Sequence, residues 1–127
     1  MKTSFEELKQ TIATLRGPDG CPWDKKQTHE SLIKCLQNES QELIDAIHHK
    51  DDENMKEELG DVLLQVLMHA QIAQEEGKFS IDDVVAYLDE KLHRRHPHVF
   101  GDHTKAATDE EALAIWREMK KKEREGK

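Results

Sequence analysis

Residues 38–73, NESQELIDAIHHKDDENMKEELGDVLLQVLMHAQIA, contain most of two neighbouring helical patterns, and these patterns predict the fold class. The first predicts a helix over about 28–48, with apolar residues at helical spacing: Leu32, Leu36, Leu43 and Ile47. The second predicts a helix over about 55–75, whose run 62–73 is apolar nearly all round and is expected to be buried on every side. The short polar segment 48–54 makes the two helices antiparallel neighbours.

Three further helices are predicted outside this stretch from residues that start and stop helices. One begins at a cap at Ser4 and ends at Gly17. Another begins at Ser80 and is stopped by Pro97. The last begins at Thr108. The sequence therefore predicts an all-α fold, a bundle of about five helices.

Two segments are expected to lie outside the regular helices. Residues 17–27 are rich in turn-forming residues and predict an ordered loop pinned by Trp23. Residues 118–127 form a basic tail that is expected to be frayed. A chain of 127 residues allows one domain, so we expect a single helical domain over 1–127.

Composition excludes several classes of function. Charged residues make up 36% of the chain and the formal net charge is −8, which disfavours a nucleic-acid partner. Neither an apolar stretch long enough to span a membrane nor a signal peptide is found, so we expect a cytoplasmic protein without a membrane partner. The two cysteines, Cys21 and Cys35, are expected to be reduced.

Four carboxylates on the two central helices predict a metal site. Glu39 and Glu42 are three residues apart on one helix, and Glu58 and Asp61 are three apart on the next, so each pair shares a helix face. Four converging anions need a cationic partner, and all-oxygen ligands suit Mg²⁺, with Mn²⁺ as a second choice. The alternative is that these are ordinary surface acids in a chain that has 27 Asp and Glu residues.

The same carboxylates carry a resemblance to a known family. The order E39-S-Q-E42, then E58-L-G-D61, resembles the metal-binding pattern of the MazG family of all-α nucleoside triphosphate pyrophosphohydrolases. Three more segments resemble MazG segments in order and spacing: GCPWDKKQTHESL at 20–32, KLHRRHPHVFGD at 91–102 and IWREMKKKER at 115–124. The likeness covers nearly the whole chain.

This resemblance implies Mg²⁺-dependent hydrolysis of (deoxy)nucleoside triphosphates to the monophosphate and pyrophosphate, with water attacking the α-phosphorus. The metal-ligand role falls on the four carboxylates, Glu39, Glu42, Glu58 and Asp61, and a catalytic role on Glu39, Glu42 and Asn38. Triphosphate contacts are implied for Lys91 and Arg95, and a nucleotide contact for Trp116. The chain departs from the commoner family pattern at Asn38, where many members have glutamate, and this leaves the level of activity open.

The alternative hypothesis is a non-enzymatic function. The apolar surface of the second central helix is broader than a small helical monomer easily covers. The chain is therefore expected to form a homodimer, with a tetramer as the second choice. Such an assembly could also be a non-catalytic nucleotide-binding or regulatory module.

Overall fold

The computed structural model describes residues 3–126, and every regular element in this part of the chain is helical. The helices are α1 (Phe5–Leu15), α2 (Pro22–Lys26), α3 (Ile33–His49), α4 (Asp52–Glu75), α5 (Ile81–Arg95), α6 (Pro97–Phe100) and α7 (Asp109–Glu125). The all-α prediction is confirmed. The five longer helices correspond to the five predicted ones, while α2 and α6 are short helices in segments predicted to be loops.

Two compact units make up the chain, Met1–Ile81 and Asp82–Lys127. The single domain over 1–127 stays a prediction. In the first unit, α3 and α4 form an antiparallel hairpin, since only two residues separate them and they pack together along their length. Lys50 ends α3 in the left-handed conformation at φ 55°, and Asp51 begins α4 by accepting the Asn54 N–H at 3.1 Å.

Both central helices differ from their predicted starts because of local hydrogen bonds. Helix α3 begins at Ile33 rather than at Thr28. Before it, the Thr28 N–H donates to Ser31 Oγ at 2.8 Å and the Ser31 N–H donates to Thr28 Oγ1 at 3.0 Å, which closes a separate turn. Helix α4 begins at Asp52, inside the segment predicted to be a polar connection, because Asp51 supplies the cap.

The loop 17–27 is fixed by Arg16, so the prediction that Trp23 pins it is wrong. Trp23 lies on α2 and is 56% exposed. The Arg16 guanidinium donates to the carbonyl oxygens of Asp24 at 2.6 Å and Gln27 at 3.1 Å, and to both carboxylate oxygens of Glu75 at 2.9 Å. A half-buried cation therefore ties the loop to the end of α4.

Helix α4 is buried nearly all round only over 67–73, where every residue is buried or half-buried, so the prediction of burial on every side over 62–73 is wrong for the first part of that run. Its buried apolar residues are Leu67, Met68, Ala70, Ile72 and Ala73. Leu63, Leu64 and Val66 remain exposed, at 38%, 38% and 42%. The physical reason is that the elements packed on α4 in the first unit, chiefly α3 and then α1, cover only part of its circumference over 62–66.

The second unit contains α6, α7 and all of α5 except its first residue. Thr108 caps α7 by accepting the Glu111 N–H at 3.2 Å, as its sequence predicts. Residues 118–125 continue α7 as helix, so they are not the frayed tail that the sequence predicts. Within the described part of the chain, no helix is both long and apolar enough to cross a membrane.

Candidate metal centre

Helices α3 and α4 bring four carboxylates together. Glu39, Glu42, Glu58 and Asp61 each offer one oxygen, and these oxygens all lie within 4.8 Å of one another. We call these four residues the carboxylate cluster. The three-residue spacing puts two carboxylates on one face of each helix, and the antiparallel hairpin turns those faces toward each other.

Two oxygens of the carboxylate cluster are buried without a partner. Glu58 is 7% exposed, and Glu39 is half-buried. Neither Oε2 of Glu58 nor Oε2 of Glu39 has a hydrogen-bond partner among residues 3–126. A buried carboxylate oxygen without a donor is costly in free energy, so such atoms mark a place where a ligand belongs.

The carboxylate cluster also changes the acidity of its members. Burial raises the pKa of Glu58 to about 7, and the hydrogen-bonding Glu42 carboxyl and the charges of Asp61 and Glu39 add to the rise. Burial, followed by the charges of Glu42 and Asp61, likewise raises the pKa of Glu39. Without a cation, Glu58 is therefore partly protonated near neutral pH.

These properties fit a divalent cation. Carboxylate oxygens are the ligands that hard ions such as Mg²⁺ prefer. A bound cation would satisfy the two unpartnered oxygens and offset the burial and the repulsion that raise the pKa values. The four residues can therefore hold a metal ion.

The family resemblance assigns contacts with the triphosphate to Lys91 and Arg95 and a contact with the nucleotide to Trp116. All three residues lie in the second unit. Arg95 is the last residue of α5, and Lys91 is one helical turn before it. The structure brings Arg95 onto Trp116 of α7, with Cζ 4.8 Å from the ring centroid. Asn38 is exposed on α3, next to Glu39 of the carboxylate cluster.

Two residues that contact Trp116 or Arg95 are not among the predicted site residues. Lys120 places Nζ 5.3 Å from the Trp116 ring centroid, and Glu123 pairs with Arg95 at 2.8 Å. Helical spacing could have indicated both, because positions four and seven residues after Trp116 lie on the same face of α7. The sequence analysis instead places both in the basic tail 118–127.

An all-α hairpin with two carboxylates on each helix defines a class of helical proteins whose central helices can hold a metal ion. Sequence comparison specifies the family. Residues 27–100 match the MazG nucleotide pyrophosphohydrolase domain. The chain therefore belongs to the MazG family.

Similar proteins agree with this assignment. The chain is 64% identical over 98 residues to the nucleoside triphosphate pyrophosphohydrolase/pyrophosphatase MazG of Thermotoga maritima, covering 77% of this chain and 38% of the relative. It is 44% identical over 121 residues to the nucleoside triphosphate pyrophosphohydrolase of Escherichia coli, covering 94% of this chain and 46% of the relative. The chain thus spans less than half the length of these two curated relatives.

A solved structure matches over almost its whole length. The crystal structure of a mazG-related protein from Thermotoga maritima superimposes with a TM-score of 0.74 at 33% sequence identity. The match covers 91% of this chain and 98% of that protein. The all-α fold is therefore shared with a protein of comparable extent.

Proposed function

We propose that this protein hydrolyses (deoxy)nucleoside triphosphates to the monophosphate and pyrophosphate, in a reaction that requires Mg²⁺. Water attacks the α-phosphorus, the bond from that phosphorus to the bridging oxygen breaks, and pyrophosphate leaves. The observation that carries the proposal is the carboxylate cluster, with its unpartnered oxygens on Glu39 and Glu58. Membership of the MazG family supports the same reaction.

Glu39, Glu42, Glu58 and Asp61 would hold the metal ion in this proposal. When bound, Mg²⁺ neutralises phosphate charge and makes a coordinated water more acidic, with Mn²⁺ as a possible substitute. Glu39 and Glu42 also orient the attacking water by accepting its hydrogen bonds. Asn38, next to Glu39, can orient water in the same way, but its amide cannot accept a proton as a glutamate can.

Cationic and aromatic side chains of the second unit bind the nucleotide in this proposal. Lys91 and Arg95 contact the triphosphate, where their charges stabilise the leaving pyrophosphate. Trp116 contacts the nucleotide. Support comes from the Arg95–Trp116 contact and from the resemblance of 91–102 and 115–124 to MazG segments.

The proposed assembly is a homodimer formed through apolar helix faces, with a tetramer as the second choice. The exposed residues Leu59, Leu63, Leu64 and Val66 of α4 support this, because burying such side chains gains about 25 cal/mol per Å². Static light scattering at micromolar concentration measures the mass directly. A monomeric mass would contradict the proposed assembly.

The proposed location is the cytoplasm.

The test of the proposed reaction is product analysis over a panel of common and deoxy nucleoside triphosphates. The proposal predicts pyrophosphate and the monophosphate in equal amounts with Mg²⁺, and no products with EDTA. Release of orthophosphate would contradict attack at the α-phosphorus. Nucleotide binding without hydrolysis of any nucleotide would favour the binding-only alternative, for which Asn38 in place of glutamate is the supporting feature.

A further inference from the structure

Four cationic side chains and one carboxylate line a groove of about 440 Å³ on α5 and α7 of the second unit. The lining residues are Tyr87, Arg94, Arg95, Lys120, Glu123 and Arg124. This excess of positive charge contrasts with the formal net charge of −8 for the whole chain. The groove therefore suits an anionic ligand such as a polyphosphate.

We infer that Glu123 is a positioning residue for substrate binding, because its carboxylate holds the Arg95 guanidinium in the orientation that receives the triphosphate. The inference rests on the proposed function, in which Arg95 contacts the phosphates. None of the roles proposed above involves Glu123.

Glu123 binds Arg95 along one edge of the guanidinium. Arg95 Nη2 donates to Glu123 Oε2 at 2.8 Å, and Arg95 Nε donates to Oε1 at 3.3 Å. The Arg95 and Glu123 side chains retain 12% and 22% exposure, so water screens this pair less than it screens an ordinary surface pair. Glu123 thereby occupies the Nε edge and leaves the Nη1 end of the guanidinium for a ligand.

A second arginine holds the carboxylate itself in place. Arg94 donates to Glu123 Oε1 and also to Glu90, one turn earlier on α5. Hydrogen bonds from Arg95 and Arg94 lower the pKa of Glu123 to about 2, so its carboxylate is ionised throughout the physiological range. Glu123 therefore does not lose its hold on Arg95 by protonation at working pH.

Trp116 supplies the second contact that fixes the plane of the guanidinium. Arg95 Cζ lies 4.8 Å from the Trp116 ring centroid, while Glu123 contacts the guanidinium edge. A side chain held by two contacts loses less conformational entropy when a phosphate binds it. Trp116 and Glu123 thus act together to preorganise Arg95.

The opposite reading is that Glu123 competes with the substrate for Arg95. Both readings begin from the same ion pair but predict opposite changes in KM when the charge is removed. Competition predicts that Glu123→Gln lowers KM, because the guanidinium is released to the phosphates. Positioning predicts that Glu123→Gln raises KM, because the guanidinium loses its orientation.

The first experiment compares steady-state kinetics of wild type, Glu123→Gln, Glu123→Asp and the matched control Glu118→Gln. Glu118 is on the same helix and pairs with Lys122 in an exposed contact at 3.4 Å. KM is expected to rise about tenfold in Glu123→Gln and about threefold in Glu123→Asp, as for one weakened charge-assisted hydrogen bond, with kcat within about twofold. Glu118→Gln should match wild type.

An unchanged or lowered KM in Glu123→Gln would overturn the inference. If Glu123→Gln does not fold by circular dichroism, Glu123→Asp decides alone. Its shorter carboxylate keeps the charge but displaces Arg95, and an unchanged KM would then overturn the inference.

The second experiment asks whether Glu123 acts through Arg95. Glu123→Gln is introduced into an Arg95→Ala background, where positioning predicts that KM changes by less than about twofold, because no guanidinium remains to be oriented. The same rise in KM with and without Arg95 would mean that Glu123 acts by another route, which would overturn the inference.

A binding measurement separates this inference from the proposed reaction. Trp23 and Trp116 are the two tryptophans of the chain, so Trp23→Phe leaves Trp116 as the single fluorescent reporter. In that background, titration with inorganic triphosphate should give a Kd about tenfold higher for Glu123→Gln and unchanged for Glu118→Gln. That ranking without any hydrolysis by wild type would contradict only the proposed reaction. Equal Kd values, or no binding by wild type, would overturn the inference about Glu123.

Discussion

Glu58 in the carboxylate cluster and Glu123 beside the two arginines are both helical glutamates, yet their surroundings act in opposite directions. Burial and like charges raise the pKa of Glu58 to about 7. Two arginines lower the pKa of Glu123 to about 2. A carboxylate that is already paired with arginines, such as Glu123, can position those side chains. A cluster of carboxylates without a cationic partner is instead suited to bind a cation from solution.

The largest expected effect is the loss of activity when one carboxylate of the cluster is neutralised. Replacing any one of the four carboxylates of the cluster by its amide (Glu39→Gln, Glu42→Gln, Glu58→Gln or Asp61→Asn) removes an anionic oxygen from the metal site. Pyrophosphate release with Mg²⁺ should fall at least about 100-fold while the helical circular dichroism remains. Glu57→Gln is the matched control, because Glu57 is exposed on the same helix as Glu58. Full activity in all four amide variants would disprove the site.

A carboxylate added to the cluster should have the next largest effect. Asn38→Glu places a glutamate beside Glu39 of the carboxylate cluster. We expect turnover to rise about tenfold, or a second Mg²⁺ to bind in a titration, because a carboxylate accepts protons and ligates metal. Unchanged turnover and metal stoichiometry would mean that Glu39 and Glu42 suffice, and wild type should then already turn over as an ordinary enzyme.

The free energy of unfolding should depend on pH because burial and repulsion disfavour the ionised carboxylates of the metal-free cluster. The pKa of Glu58 is about 7 in the folded state against an ordinary 4.5, so the folded protein binds more protons between these values. The free energy of unfolding in EDTA should therefore fall as pH rises from 5 to 8. Glu58→Gln should reduce this slope and raise the melting temperature at pH 8 by a few degrees. A slope equal to that of wild type in Glu58→Gln would contradict the raised pKa of Glu58.

The arginine-bound glutamate should show the reverse dependence, with a smaller effect because the pair is partly solvated. The folded-state pKa of Glu123 is about 2, below its ordinary 4.5. Its contribution to the free energy of unfolding is therefore complete above pH 4.5 and is lost as pH falls toward 2. Acid titration of Glu123→Gln should give a shallower loss of stability than the Glu118→Gln control, and parallel curves would contradict the shift.

The sequence predicts the carboxylate cluster because its determinants are local. Two helical periods fix the spacing from Glu39 to Glu42 and from Glu58 to Asp61, and a short connection makes the helices neighbours. The unpartnered oxygens could not be predicted in the same way. They depend on the directions of individual side chains and on what is packed over them.

The cluster around Arg95 is harder to predict because its contacts link distant positions. Glu123 lies 28 residues after Arg95, and no periodic pattern connects them. The prediction of burial on every side of α4 is wrong at Leu63, Leu64 and Val66 for a related reason: an apolar run shows that a surface needs cover, but not what covers it. The role predicted for Trp23 is wrong because its loop is fixed by Arg16, whose contacts extend to Glu75.

Calorimetric titration of Mg²⁺ into metal-free protein tests most directly whether the carboxylate cluster is a metal site. Binding should be measurable for wild type, retained in Glu57→Gln and weakened at least about tenfold in Glu58→Gln. At pH 6, buffers of different ionisation enthalpy should report proton release from the carboxylate cluster on binding, since the pKa of Glu58 is about 7. At pH 9 that release should vanish. Binding of Mg²⁺ by Glu58→Gln with the affinity and proton release of wild type would contradict the assignment.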